Sequence, residues 1–176
     1  MTRPVRLEGR VWVLERDGRL IDDIDTDMIY HNAHLAVTEA SQMGQYALGN
    51  LKGFSDFASK ASAGDLVLAG DNFGSGSSRQ HAVDCFISLG ILAIMARSFG
   101  AIYKRNAINS GLALVEVPGL PDGLIEHHET VALDLETGYL SVGSGEFHAR
   151  PMSSVSRDIY LAGGLFEYAR TREPRA

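Results

Sequence analysis

The chain has 176 residues, of which 45% are hydrophobic, and its formal net charge is −6. That length suits one domain, residues 1–176, and that apolar share supplies a real core. The acidic balance argues against a nucleic-acid partner, which demands clustered Lys and Arg; the widest basic cluster here is Lys104-Arg105.

The opening stretch MTRPVRLEGR lacks the apolar centre of a signal peptide, and nowhere does the chain reach the roughly 20 apolar residues of a bilayer span. A cytoplasmic protein with no membrane partner is the expectation. Val11–Leu14 reads as a strand and Asp17-Gly18 as a turn. Ile21–Leu35, IDDIDTDMIYHNAHL, sets four aspartates among branched apolar residues and reads as strand ends and loop. Further on, Met43–Ala47 and Phe54–Ala61 suit short helices, and residues 28–60 together form a candidate mobile substrate loop.

Leu66–Ala69 is a short buried strand, followed by a Gly/Ser-rich loop. From Arg79 onward Ala82, Val83, Phe86, Ile87 and Gly90 fall at helical spacing, with Gly90 as the C-terminal cap. Cys85, the only cysteine, sits on this helix as a small core residue. A single cysteine excludes an intrachain disulfide, a Cys-rich zinc site and a cysteine-ligated iron–sulfur cluster built by this chain alone. Ile91–Met95 is a second strand. Ser98 is placed to cap a helix through about Asn109, with Phe99, Ile102 and Ile108 on one side, and Leu112–Val117 is a third strand. Alternating strands and helices with short links predict an α/β fold with a parallel sheet. Val131, Leu133 and Leu135 then alternate with polar residues, Thr137-Gly138 turns, and Tyr139–Val142 returns as a hairpin. Asp158–Arg170 reads as a closing helix packed through Ile159, Leu161, Leu165 and Tyr168, with Gly163-Gly164 inside it.

The loop GDNFGSGSSRQHA, Gly70–Ala82, lies between a strand and a helix, where free N–H groups and the helix dipole attract anions. Arg79 stands where a dinucleotide fingerprint wants its third glycine, and no lysine is present for a phosphate-binding Walker loop. Gln80 occupies the last glycine of a hydrolase elbow. A purely structural reading remains: Ser77-x-x-Gln80 has the form of a capping box. It leaves Ser78 and Arg79 unexplained. A cation at a helix start opposes the dipole and calls for an anionic partner, and the planar guanidinium fork suits a carboxylate.

Together with ARSFGAIYKRNAINSGL (Ala96–Leu112), DIDTD (Asp23–Asp27) and the terminal AGGLFEYAR, this loop resembles the aconitase-type hydro-lyases. The likeness is strongest to the separate small subunits of 3-isopropylmalate dehydratase and homoaconitase, and it extends over nearly the whole chain. It implies an α/β, swivelling β/β/α domain with a central parallel or mixed sheet flanked by helices. It also implies a heterodimer or heterotetramer with an aconitase-like large subunit that carries a [4Fe-4S] cluster. The implied reaction is loss and re-addition of water on a small hydroxy di- or tricarboxylate. The leading case is the dehydratase of leucine biosynthesis; homoaconitase and 2,3-dimethylmalate dehydratase are alternatives.

By the same resemblance Ser77 is the catalytic base, acting as an alkoxide, while the cluster iron as a Lewis acid takes the leaving hydroxyl. Ser78 contacts substrate, Arg79 holds a substrate carboxylate, and Asp27 orients the site. Asp23 and Asp25 are expected to be structural, and Lys104 and Arg105 to line a solvated face. One departure stands out. Small subunits of this kind carry an arginine about six residues past the Asp27 position, where this chain has Ala33 with His34 beside it. His34 or His31 is a candidate substitute for binding the distal end of the substrate; an ordinary exposed loop histidine is the alternative. Two other functions compete: a carboxylate-binding module without catalysis, and an unaided hydrolase using Ser77 with His81.

Overall fold

The computed structural model describes residues 3–172. Strand β1 (Arg6–Val13) leads to a small hairpin, β2 (Glu15–Arg16) and β3 (Arg19–Leu20), which turns at Asp17-Gly18. A helical segment follows: α1 (Thr26–Ile29), a single 3-10 turn at Asn32–His34, α2 (Ala40–Met43), a second 3-10 turn at Gly44–Tyr46, and α3 (Phe57–Lys60). Then β4 (Leu66–Ala69), α4 (His81–Ser88), β5 (Ala93–Ala96), α5 (Ala101–Asn109) and β6 (Ala113–Glu116) alternate. The chain ends with β7 (Thr130–Asp134), β8 (Tyr139–Val142), β9 (Gly145–His148), α6 (Ser154–Ala162) and α7 (Leu165–Arg172).

One mixed seven-stranded sheet runs in the order β6-β5-β4-β1-β7-β8-β9. β1 joins its two halves. Val11, Trp12 and Val13 pair in parallel with Leu66, Val67 and Leu68, while Arg6–Arg10 pairs antiparallel with Asp134–Thr130. The central strands of the parallel half, β4 and β5, are short and wholly apolar because both of their faces are covered. Val67, Ala69, Ile94 and Ala96 point into a core shared with Ile29, Tyr30, Phe57, Phe86 and Tyr103. Leu66, Leu68, Ala93 and Met95 point into the opposite core, with Leu133, Leu140 and Tyr160. Among the described residues no helix is long and apolar enough to cross a membrane.

The expected strand–helix alternation from Leu66 to Val117 is present, with Gly90 left-handed (φ 74°) just beyond α4. Several local expectations are corrected. β1 begins at Arg6 rather than Val11, and the aspartate-rich stretch, read as loop, contains α1 with Asp25 as its N-cap. Ser98 does not cap α5, which starts at Ala101 with Gly100 as its N-cap; the Ser98 hydroxyl accepts from the Asn72 N–H and donates to Asp71. The buried residues of α5 are Tyr103 and Ala107, while Ile102 is exposed. β9 was not foreseen. The closing helix is two helices, because Gly163 and Gly164 adopt φ of 97° and 140°, and Leu165 lies exposed instead of packed.

Candidate active site

The loops that follow β4 and β5 meet at the carboxyl ends of the parallel strands, where open α/β sheets place their ligand sites. Residues 70–77 are laced to the segment before α1. The Gly70 N–H donates to Ile21 O (3.0 Å), Gly74 to Ile24 O (2.7 Å), and Thr26 to Ser75 O (2.9 Å). Asn72 Nδ2 donates to Asp23 Oδ1 at 2.8 Å, so Asp23 and the N-capping Asp25 have structural tasks. On the other side the Phe73 N–H donates to Ser98 O at 3.0 Å. Gly74 holds φ at 77°, and a Cβ there would overlap the Tyr103 side chain. Backbone and ring can approach so closely only at glycine.

Gly76, also left-handed (φ 93°), turns the chain so that Ser77 faces α1. The capping-box alternative does not form here. α4 starts at His81 with Gln80 as N-cap, and no side chain caps it. Ser77 Oγ instead shares a 2.9 Å hydrogen bond with Thr26 Oγ1, and Gln80 Nε2 donates to Asp84 and Ser110. Ser77 and Ser78 are exposed. Asn106 Nδ2 donates to Ser78 O at 3.2 Å, so α5 braces the loop from behind.

Arg79 precedes α4 and finds its anion within the chain. Its Nη1 donates to Asp27 Oδ1 (2.9 Å), Tyr30 O (2.6 Å) and Thr26 O (3.3 Å), and its side chain is 15% exposed. All three bonds use one nitrogen. Asp27 is gripped in turn, accepting from the Asn32 N–H at 3.0 Å and from Asn50 Nδ2 at 3.1 Å. The hydrogen-bonded Arg79 guanidinium, helped by the Asn32 N–H, holds the Asp27 carboxyl below its usual range, so it remains a carboxylate.

Ala33 is exposed on the 3-10 turn. His34 stacks on Tyr46 with ring centroids 3.9 Å apart, and His31 Nδ1 accepts from the Ala33 N–H. His81 Nε2 contacts Val37 O at 3.1 Å, so the imidazole wanted by the hydrolase reading is engaged elsewhere. Lys104, expected on a solvated face, forms an ion pair with Glu116. Two site neighbours escaped the sequence reading. Thr26 lies inside DIDTD, yet only its contact with Ser77 marks it out; Asn50 carries no local signal at all.

Comparison with known proteins decides the family. The model of the aconitase C-terminal domain matches residues 23–119. The chain belongs to the aconitase C-terminal domain family. The 3-isopropylmalate dehydratase small subunit 1 of Methanopyrus kandleri is 36% identical over 172 residues, covering 97% of this chain and 96% of that protein. The small subunit of Aquifex aeolicus is 35% identical over 170 residues, covering 96% of each. The crystal structure of 3-isopropylmalate dehydratase from Methanocaldococcus jannaschii superposes with a TM-score of 0.84 at 30% identity, covering 96% of this chain and 95% of that one. The family expected from the Gly70–Ala82 and Ala96–Leu112 stretches, and its α/β architecture, are thus the ones found.

Enzymes of the aconitase family suggest a [4Fe-4S] cluster, and the residues of this chain do not fit one. Cys85 is fully buried, and that burial pushes its thiol pKa far up. Among the described residues no three His, Cys, Asp or Glu side chains stand together as a metal site.

Proposed function

We propose that this chain is the small subunit of a 3-isopropylmalate dehydratase, a cytoplasmic hydro-lyase that works only with an aconitase-like large subunit carrying the [4Fe-4S] cluster. The observation that carries this reading is the grip on Arg79. Its Nη1 is held by Asp27 and two carbonyls, one of them that of Thr26, whose hydroxyl meets the exposed Ser77 on a loop of the expected family pattern. A guanidinium fixed by one nitrogen presents its other edge to a carboxylate, and its charge favours ionised oxygen nearby.

In this reading Arg79 binds a carboxylate of the substrate and Ser78 contacts it. Ser77 Oγ takes the proton from the carbon next to that carboxylate. As the C–H bond breaks, its electron pair becomes the second bond of the alkene and the neighbouring hydroxyl departs as hydroxide, which with the proton now on Ser77 makes up the water lost. Re-addition of water at the other carbon completes the isomerisation. Asp27 acts through Arg79, not on the substrate. The exposed position of Ser77 supports a site that is completed when the large subunit closes on this face.

Reconstitution tests the proposal. The chain alone should be inactive on 3-isopropylmalate, and the chain with its large subunit should form the unsaturated product. Turnover by the chain alone, or none by the pair, would overturn the assignment.

A further inference from the structure

Thr26 is among the few buried polar residues of the described chain, 3% exposed at the first turn of α1. Its backbone is committed: the N–H donates to Ser75 O at 2.9 Å, and the carbonyl accepts from Tyr30 N and from Arg79 Nη1. Its hydroxyl reaches Ser77 Oγ at 2.9 Å. A hydroxyl has one proton to donate. With both groups protonated, either can be the donor; once Ser77 has lost its proton, only Thr26 can hold the bond. We infer that Thr26 is a positioning residue for the catalytic base: it donates to Ser77 Oγ in the ionised form and stabilises that form against the protonated one. This rests on the base role of Ser77 proposed above. Thr26 keeps its own proton throughout; the hydrogen removed from the substrate carbon goes to Ser77 Oγ.

The geometry favours this role over simple packing. Gly76, at φ 93°, aims Ser77 at the threonine, and Asp25 pins the start of α1 by accepting from the Asp27 and Met28 N–H groups. The donor is therefore held on a capped helix before the base ionises, and no reorganisation is needed when charge appears. Thr26 also ties the two halves of the site together, since its hydroxyl meets Ser77 while its carbonyl meets Arg79.

The test uses the reconstituted two-subunit enzyme. Loss of a hydrogen bond to a charged group predicts that Thr26→Val lowers kcat by about tenfold to a hundredfold, with KM little changed. Thr26→Ser, which keeps the donor, should recover most of the rate. Adding Thr26→Val to Ser77→Ala should cost nothing further, because the base it serves is gone. Thr26→Ala replaces the valine if that variant does not fold, as judged by circular dichroism. Equal kcat for wild type and Thr26→Val, failure of Thr26→Ser to recover the rate, or additive losses in the double variant would each overturn the inference. Should Ser77→Ala itself keep full activity, the base assignment fails instead, and the two failures are distinct.

Discussion

Arg79 and Asp27 are 52 residues apart in the chain and 2.9 Å apart in space. The pair resolves the oddity of a cation ahead of a helix start. Two backbone carbonyls on the same nitrogen restrict its rotation, so the guanidinium is already oriented for the carboxylate proposed to bind it. For Arg79→Lys, loss of the planar fork should raise KM by about tenfold to a hundredfold with a smaller effect on kcat, read from steady-state kinetics of the reconstituted enzyme. Asp27→Asn should move KM in the same direction by less, since both carbonyl partners remain. An unchanged KM for Arg79→Lys would remove its carboxylate-binding role.

Ser77 has no capping duty, so the base role proposed for it can be tested apart from folding. Ser77→Ala should lower turnover by several orders of magnitude, on the order of 10³ or more for loss of a catalytic base. Its thermal midpoint should stay within a few degrees of the wild type, because an exposed hydroxyl and one shared hydrogen bond are all that is lost. A fall below tenfold in rate would contradict the base assignment.

Gly74 joins a positive φ to direct contact with Tyr103, whose hydroxyl donates to Ala82 O at 3.1 Å within α4. Gly74→Ala should destabilise the chain by about 3 kcal/mol, summing the left-handed backbone cost and the overlap with the ring. Urea unfolding would show it as a lower midpoint with an unchanged slope. A variant as stable as the parent would mean that Tyr103 moves aside freely.

Asp65 supplies a pH-dependent share of stability. Burial raises its pKa, but bonds from Arg10, the Ser62 N–H and Trp12 Nε1 outweigh that and leave it lowered. A carboxyl depressed on folding stabilises the fold above its unfolded value, about 4, and that contribution disappears as pH falls through the folded value. Loss of hydrogen bonds to a charged carboxylate means that Asp65→Asn should cost about 2 kcal/mol at pH 7. The gap to wild type should close as the pH is lowered through 4 towards 2, followed by urea midpoints across that range. A gap that stayed constant with pH would assign the loss to shape and not to charge.

Much of the architecture was legible because it is written in local patterns. Leu66–Ala69 reads as a strand since both of its faces are buried, which demands unbroken apolar residues. The glycine–serine loop was narrowed by residue type: the absent lysine and the misplaced arginine exclude phosphate motifs without any coordinates. The helix after Arg79 shows itself through Ala82, Val83 and Phe86 at helical spacing. Where helices start and stop was less legible. Ser77 looked like a cap because its spacing to Gln80 allows one, yet a capping box forms only if the helix begins there.

By itself the amino-acid sequence determined the strand–helix alternation, the single-cysteine exclusion and the residue types gathered on one loop, since each follows from periodicity, composition or neighbours in the chain. The tertiary structure alone decided that β1 joins a parallel half to an antiparallel half, that Ser77 turns to Thr26, and that Arg79 finds Asp27. Those pairings depend on closing loops of some 50 residues or more, and spacing along a chain carries no record of which distant groups a closed backbone brings within hydrogen-bond reach.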